Sequence, residues 1–262
     1  PACIRRPCGP SGAFLAACGW ADRDQAEAAL AARDTRLAQA AADGEVVVLW
    51  FEHDLYDQLQ LLQALDALAG ARAAPGRVRA VLPGTFLTAA DAASAVAAPV
   101  TADQLALARR AWAAFRAPDP AALAALAASA TAPLPDLAPA LRRALEDLPG
   151  CRDGLARTER QVLEACASGA RDFEALFAAL TALEEAAFLG DTALELWLVR
   201  LREGPAPLLD AGLAPTEVGH AVLEGRADHA ALNGVERWVG GVRLSGRAPA
   251  WRWDREAAAL AG

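Results

Sequence analysis

The sequence predicts an α/β protein whose N-terminal domain holds a small parallel sheet flanked by helices. Its C-terminal domain is expected to be mainly α and winged-helix-like. Two observations predict this class. An apolar run at 46–51 is followed by leucines at helical spacing and by a second short predicted strand at 78–82, which is the order of a β-α-β unit. After residue 150, helical periodicities and capping signals dominate. We therefore expect domains at 1–150 and 151–262.

The N-terminal domain begins with an alanine-rich stretch at 21–42, which predicts a helix that ends at Asp43-Gly44. The run at 46–51 carries no polar residue on either face, which favours a strand buried between helix layers. The next helix is predicted by leucines at positions 55, 59, 62 and 65. Pro83-Gly84 ends the second strand.

Further helix starts are indicated by caps. Thr101 and Gln104 have the spacing of a capping box. Asp119 is followed by Pro120, and proline is favoured at the first position of a helix. Three prolines lie within 132–139, which predicts a linker or elbow.

The C-terminal domain opens with a second capping-box pattern, from Thr158 to Gln161. Helices are expected at about 158–169, 172–180, 192–202 and 216–223. The final stretch RWVGGVRLSGRAPAWRWD predicts two short strands around a loop, and Gly240-Gly241 indicates a bulge or a close backbone approach. Three helices, a turn and a strand pair are typical of a winged helix.

Composition and charge exclude several classes of protein. The net charge is −8 and all 25 basic residues are arginine, so the chain lacks the basic surface of a general nucleic-acid binder. It has no uncharged run of 18 apolar residues, so we expect no membrane span. Five cysteines without a C-x-x-C pair favour free thiols over a zinc or disulfide framework. No signal peptide is recognisable, and we expect a cytoplasmic protein.

Ionisable residues follow directly after the first predicted strand. Glu52 and His53 stand just past the end of that strand, where open α/β sheets bind ligands. Helix capping does not explain either residue, and His53 is one of three histidines in the chain. We therefore expect Glu52 and His53 to act as polar contacts or as acid–base groups.

Four further residues of this stretch are candidate ligand contacts. Asp54 and Asp57 could hold a divalent cation, with His53 as an imidazole ligand. Their alternative role is structural, with Asp54 as a helix N-cap and Asp57 as its capping-box partner. Tyr56 can either pack or hydrogen-bond to a ligand, and Gln60 shares a helix face with Asp57. The residues do not specify a metal or a cofactor.

Several motifs of this chain resemble a known family. They are LWFEHDLYDQLQLLQALDAL, RTERQVLEA, FLGD and NGVERWVGGVRL followed by WRWD. Together they resemble the bacterial family catalogued as domain of unknown function 1835, over residues 19–254. The resemblance implies an α/β N-terminal domain, a helical C-terminal domain and no established activity. Family members begin with a strand that ends in a His…Gly-Asp motif, which is missing here, so we expect the chain to be truncated at its N-terminus.

Two functions are compatible with these patterns. The first is an α/β enzyme or ligand-binding domain that acts on a small polar molecule around residues 52–57. The alternative is a regulatory or assembly factor that acts through the winged-helix-like domain on a protein partner or on DNA. DNA is disfavoured, because residues 157–202 contain five arginines against eight acids. Neither substrate nor oligomeric state follows from the sequence.

Overall fold

The computed structural model describes residues 12, 15, 16, 18–71, 74 and 76–261. The chain is mixed α/β and divides into two compact units. Of the described residues, the first takes in those up to 53, those within 57–112 and 132–134; the second takes in 54–56, 113–131 and those from 135 onwards. Among the described residues, no helix combines the length and the apolar character that crossing a membrane requires.

The first unit is built around a three-stranded sheet. Its elements are α1 (Arg23–Ala42), β1 (Val47–Trp50), α2 (Leu55–Gly70), β2 (Val78–Val81), α3 (Ala89–Ser94), β3 (Ala98–Pro99) and α4 (Ala102–Phe115), of which α2 and α4 each continue by a few residues into the second unit. Strands β1 and β2 run parallel, with Val47 opposite Val78 and Trp50 opposite Val81. Strand β3 is antiparallel to β2. The predicted β-α-β order with a parallel strand pair is confirmed.

The helix ends of the first unit follow the predicted capping chemistry. The side chain of Asp22 accepts the N–H of Gln25 at the start of α1, and Gly44, just past its end, has a φ of +71°. Thr101 and Gln104 form both bonds of a capping box, because each side chain accepts the N–H of the other residue, at 3.2 and 2.9 Å. These local signals place the helix boundaries.

Strand β1 is not buried on both faces, and that prediction is wrong. In the part of the chain that the structure describes, the sheet order is β1-β2-β3, which makes β1 an edge strand. Leu49 is buried, but Val46, Val48 and Trp50 are 51%, 44% and 47% exposed. An apolar run is therefore no proof of burial on both faces, since one exposed face can be equally apolar.

Helix α2 packs its leucines into the core of the first unit. Its buried leucines are Leu55, Leu61, Leu62, Leu65 and Leu68. Leu59, which the spacing placed on the core face, is only partly buried. The buried face of α2 is therefore rotated slightly from the face that the leucine spacing predicts.

The predicted linker carries buried side chains. The chain passes from the first unit to the second between residues 134 and 135. Leu134 and Leu137 on either side of this passage are buried. The stretch predicted as a linker or elbow therefore contains buried leucines.

The second unit consists of seven helices and two β-hairpins in its described residues. They are α5 (Ala121–Ala127), α6 (Leu137–Leu145), α7 (Arg157–Ala167), α8 (Phe173–Leu183), α9 (Asp191–Arg202), α10 (Glu217–Leu223), α11 (His229–Asn233), β4 (Val235–Val239), β5 (Val242–Gly246), β6 (Arg252–Asp254) and β7 (Ala259–Ala261). Strand β4 pairs with β5, and β6 with β7, both antiparallel. The four predicted helices are confirmed. The terminal strand pair is corrected to two hairpins.

Helix α5 begins one residue after the expected position, and the N-cap of α7 lies two residues before the expected one. The side chain of Asp119 accepts the N–H of Ala121, where α5 starts. Helix α7 starts after Ala156, whose N–H is bound by Glu159 Oε2 at 2.8 Å. Thr158, the expected cap of α7, instead donates its hydroxyl to the carboxylate of Asp147, in the turn before α7. Because its hydroxyl is bound to Asp147, Thr158 does not form the predicted capping box.

Asp147 belongs to a buried ionic network centred on Arg143. Its guanidinium binds Glu184 at 2.8 Å, Asp147 at 3.0 Å and the hydroxyl of Thr158 at 2.8 Å. Burial acts to lower the pKa of Arg143, but Asp147 and Glu184 outweigh it and raise that pKa above its ordinary value. The network ties α6 to α7 and to the end of α8.

The turn between β4 and β5 lies against the end of α4. The N–H of Gly241 donates to the carbonyl of Phe115 at 2.7 Å. A Cβ atom on Gly240 would stand 2.3 Å from that same carbonyl oxygen, and one on Gly241 would stand 2.1 Å from the carbonyl oxygen of Arg116. The predicted close backbone approach is confirmed, and only glycine leaves room for it.

Candidate functional site

The candidate site lies at the carboxyl end of β1, where the chain turns into α2. Because β1 and β2 are parallel, the segments that follow them start from the same edge of the sheet. The carboxylate of Glu52, two residues after β1, accepts the N–H of Leu87 in the segment after β2, at 2.7 Å. This bond holds the two strand ends together.

The turn itself is closed by side chains that bind the backbone of Glu52. Its N–H donates to Asp57 Oδ2 at 2.7 Å, and its carbonyl accepts the side-chain amide of the buried Gln58, also at 2.7 Å. Asp54 accepts the N–H of Tyr56 at 2.8 Å, as a residue before the first turn of a helix does. The N-cap role expected of Asp54 is confirmed.

His53 points its ring at the loop after β2. Its imidazole lies 4.7 Å from the ring of Phe86 in an edge-to-face arrangement. Its Nδ1 atom is buried and has no hydrogen-bond partner among the described residues. Buried polar atoms nearly always have a partner, so this nitrogen is an exception that needs a reason.

Three carboxylates of the turn are close enough to share an ion. Glu52, Asp54 and Asp57 each offer one oxygen, and these oxygens lie within 4.8 Å of one another. Carboxylate oxygens are the ligands that Ca²⁺ and Mg²⁺ prefer. His53 is not part of this group, so the expected imidazole ligand stands apart from the carboxylates.

Two of the expected ligand contacts have other surroundings. Tyr56 packs edge to face against Phe188 at 4.9 Å, within the second unit. Desolvation, together with the negative charge of Asp147, raises the pKa of Tyr56 to about 12, although the residue as a whole is 45% exposed. Gln60 is exposed on α2. The structure therefore groups Glu52, Asp54 and Asp57, with His53 beside them, and leaves Tyr56 and Gln60 outside the group.

The structural duty of Glu52 could not be read from the sequence. Its partner Leu87 is 35 residues away along the chain. The sequence contained one indication of such a contact, the predicted parallel strand pair, because parallel pairing brings the segments that follow both strands to the same edge of the sheet. The bond of Gln58 to the carbonyl of Glu52 was missed as well, although a glutamine six residues on was within reach.

No protein-family model matches this chain, and no curated protein or solved structure is detectably similar to it. The resemblance to the family named above stays a prediction. Arguments about function therefore rest on the geometry of the chain itself.

Proposed function

We propose that the first unit binds a small polar molecule at the carboxyl edge of β1 and β2, with His53 as the side chain that contacts it. The observation that supports this is the buried Nδ1 of His53, which finds no hydrogen-bond partner in the part of the chain that the structure describes. Leaving a buried polar atom unpaired costs about 1–3 kcal/mol. A fold that keeps such an atom at a strand edge recovers this free energy when a ligand supplies the missing hydrogen bond.

The neighbours of His53 suit a binding role. Glu52 fixes the loop after β2 through the N–H of Leu87, and Phe86 of that loop packs on the imidazole. The ligand would therefore meet a ring whose orientation is already set. An imidazole nitrogen serves equally as a hydrogen-bonding group and as a general acid or base, so the same geometry serves binding or catalysis.

The carboxylates of the turn support a cation as part of this function. One oxygen each from Glu52, Asp54 and Asp57 forms a partial shell for Mg²⁺ or Ca²⁺, and a ligand with oxygen donors would complete it. In this proposal the cation accompanies the ligand, and His53 contacts the ligand directly.

The substitution His53→Phe tests the proposal through the stability of the chain, whichever small molecule binds. Phenylalanine keeps the ring contact with Phe86 and removes the unpaired nitrogen. We expect the thermal midpoint to stay level or rise, while binding of the small molecule is lost. The control is His220→Phe at an exposed position of α10. If His53→Phe lowers the midpoint by several degrees while His220→Phe does not, then His53 is a structural residue.

A second candidate function concerns the second unit. We propose that it is a winged-helix-like module with a regulatory or assembly role on a protein partner. The supporting observation is Trp238 on β4, which is 52% exposed, since large exposed aromatics are enriched at interfaces. Trp238→Ser should abolish capture of the partner. If duplex DNA gives a salt-sensitive gel shift, the partner of this unit is nucleic acid and not a protein.

A further inference from the structure

The second unit contains an open groove of about 400 Å³ that belongs to neither of these functions. Its walls are the stretches 151–153 and 253–256, and Arg160 of α7 closes it. Backbone bonds join the walls, because the N–H of Trp253 donates to the carbonyl of Pro149 at 2.9 Å and the N–H of Cys151 donates to the carbonyl of Trp253 at 3.2 Å. The groove therefore has a fixed width. Its volume lies within the usual range of small-molecule sites.

The base of the groove is a fully buried carboxylate shared by two arginines. Asp153 accepts hydrogen bonds from Arg160 Nη1, from Arg255 Nη1 at 2.8 Å and from the N–H of Leu155 at 2.9 Å. A Cβ atom on Gly150 would stand 2.6 Å from the Asp153 carboxylate and 2.8 Å from Arg255, so a larger residue would displace them. Glu164 also binds Arg160, with its carboxylate 2.8 Å from Nε, so two carboxylates hold the two guanidinium groups in place.

A third guanidinium is held at the groove by a backbone carbonyl. Arg152 donates to the carbonyl of Glu224 at 2.9 Å. Its side chain crosses Gly225, where a Cβ atom would stand 2.3 Å from Arg152 Nε. A carbonyl orients the guanidinium without neutralising it. Within the described part of the chain Arg152 forms no ion pair with a carboxylate, so its positive charge faces the groove without a direct partner.

Two acidic side chains also line the groove wall. Asp254 accepts the N–H groups of Glu256 and Ala257 in its own turn, at 2.9 and 3.0 Å. Glu256 itself is exposed at the rim. A guanidinium group has five N–H donors and no acceptor. Three guanidinium groups line this groove.

We propose that this groove binds the anionic oxygen group of a small molecule, a phosphate or a carboxylate, through Arg152, Arg160 and Arg255. Guanidinium groups bind such oxygens with short, charge-assisted and often bidentate hydrogen bonds. Internal acceptors already position the three side chains, so binding orders few additional groups. The inference rests on residues of the second unit alone and is independent of the site around His53.

The test is an NMR titration of the full chain with inorganic phosphate and, in a second arm, with acetate. We expect saturable shifts of the Trp253 indole and of the amides of 151–153. The arm that saturates at the lower concentration identifies the preferred oxygen group. If neither anion gives a saturable shift at low ionic strength, the proposal is wrong.

Variants make the test specific. Arg152→Gln removes a charge that no carboxylate of the described residues pairs with, so the fold should be kept while the affinity falls by about tenfold. Glu256→Gln should tighten binding, because it removes a negative charge from the rim. The matched control is Arg243→Gln, an exposed arginine on β5, which should leave the affinity unchanged. Equal losses for Arg152→Gln and Arg243→Gln would reduce the effect to general charge attraction and overturn the assigned site.

Discussion

Carboxylates do different work at the β1–α2 turn and in the second unit. At the turn, Asp57 binds the N–H of Glu52, five residues away, and so shapes a single loop. In the second unit, Glu159 binds Arg237 across 78 residues and Asp153 binds Arg255 across 102 residues. The acids of the turn therefore bind backbone N–H groups, including that of Leu87 in the loop after β2, whereas the acids of the second unit form ion pairs that hold distant elements together. Changes to the acids of the two regions should therefore have unequal effects on stability.

The largest effect is expected at Arg237. Its side chain and that of Glu159 are 7% and 4% exposed, and their atoms lie 2.6 Å apart. Arg237→Ala leaves the Glu159 carboxylate buried without its cation, which typically costs about 3–5 kcal/mol. Urea denaturation of the variant measures this loss.

The exposed pair Arg243–Glu236 is the control for this prediction, with side chains that are 60% and 66% exposed. Arg243→Ala should change the free energy of unfolding by less than about 1 kcal/mol. If the two alanine variants lose the same stability, buried ion pairs do not hold the second unit together.

The next effect concerns the core of the first unit. Leu62 is fully buried on α2 and Leu59 is only partly buried. Leu62→Ala should lower the free energy of unfolding by about 2–5 kcal/mol, and Leu59→Ala by about half as much, because less apolar surface returns to water. Thermal and urea melts compare the two. A larger loss at Leu59 would place the core face of α2 where the leucine spacing alone put it.

The stability of the second unit should depend on pH more than that of the first, because His229 is buried in the second unit. The Asn233 side chain accepts the N–H of Ala206 at 2.8 Å and donates to its carbonyl at 2.9 Å, which fixes the amide orientation. The same amide nitrogen lies 3.0 Å from His229 Nδ1. That ring atom must accept the hydrogen bond, so the imidazole is neutral with its proton on Nε2.

We therefore expect the second unit to lose stability in mild acid. Burial lowers the pKa of His229, Arg237 adds to this, and Glu159, Asp228 and Asp153 oppose it without reversing it. The stabilising contribution is complete above the unfolded-state pKa of about 6.5 and is lost as pH falls below it through the lowered folded-state pKa. Denaturation at pH 7.5 and 5.5 measures it.

His229→Gln should flatten this dependence, whereas replacement of the exposed His220 should not. An unchanged slope in His229→Gln would show that another group causes the acid sensitivity.

The smallest effect is expected at Glu52. Glu52→Gln keeps an oxygen that can accept the N–H of Leu87, so stability should change by less than about 0.5 kcal/mol. Glu52→Ala removes the acceptor and should cost about 1–2 kcal/mol. Equal melting midpoints for the two variants would mean that the link between the strand ends is not needed for stability.

The sequence was sufficient for features that depend on neighbouring residues. The β-α-β order, the Thr101–Gln104 capping box and the N-cap role of Asp54 all follow from short spacings. The exposed face of β1 did not, because an apolar run looks the same whether one or both faces are covered. Neither did the ion pairs, since nothing near Glu159 indicates that Arg237 will be its partner.

The candidate site was predictable to the same extent. The position of Glu52 and His53 past a parallel strand was readable from the sequence. The bond of Glu52 to Leu87, the contact of His53 with Phe86 and the unpaired Nδ1 depend on which segments the sheet brings together, and only the fold gives that.

The central claim is that the carboxyl edge of β1 and β2 is a ligand site, and an NMR titration of isotope-labelled full chain tests it most directly. Amino acids, nucleosides and sugar phosphates would be added with and without Mg²⁺ while the ring signals of all three histidines are followed. We predict that at least one compound shifts His53 saturably, together with the amides of 52–57 and of Leu87, and leaves His220 and His229 unmoved. Compounds that bind elsewhere on the chain while none moves His53 would contradict the claim.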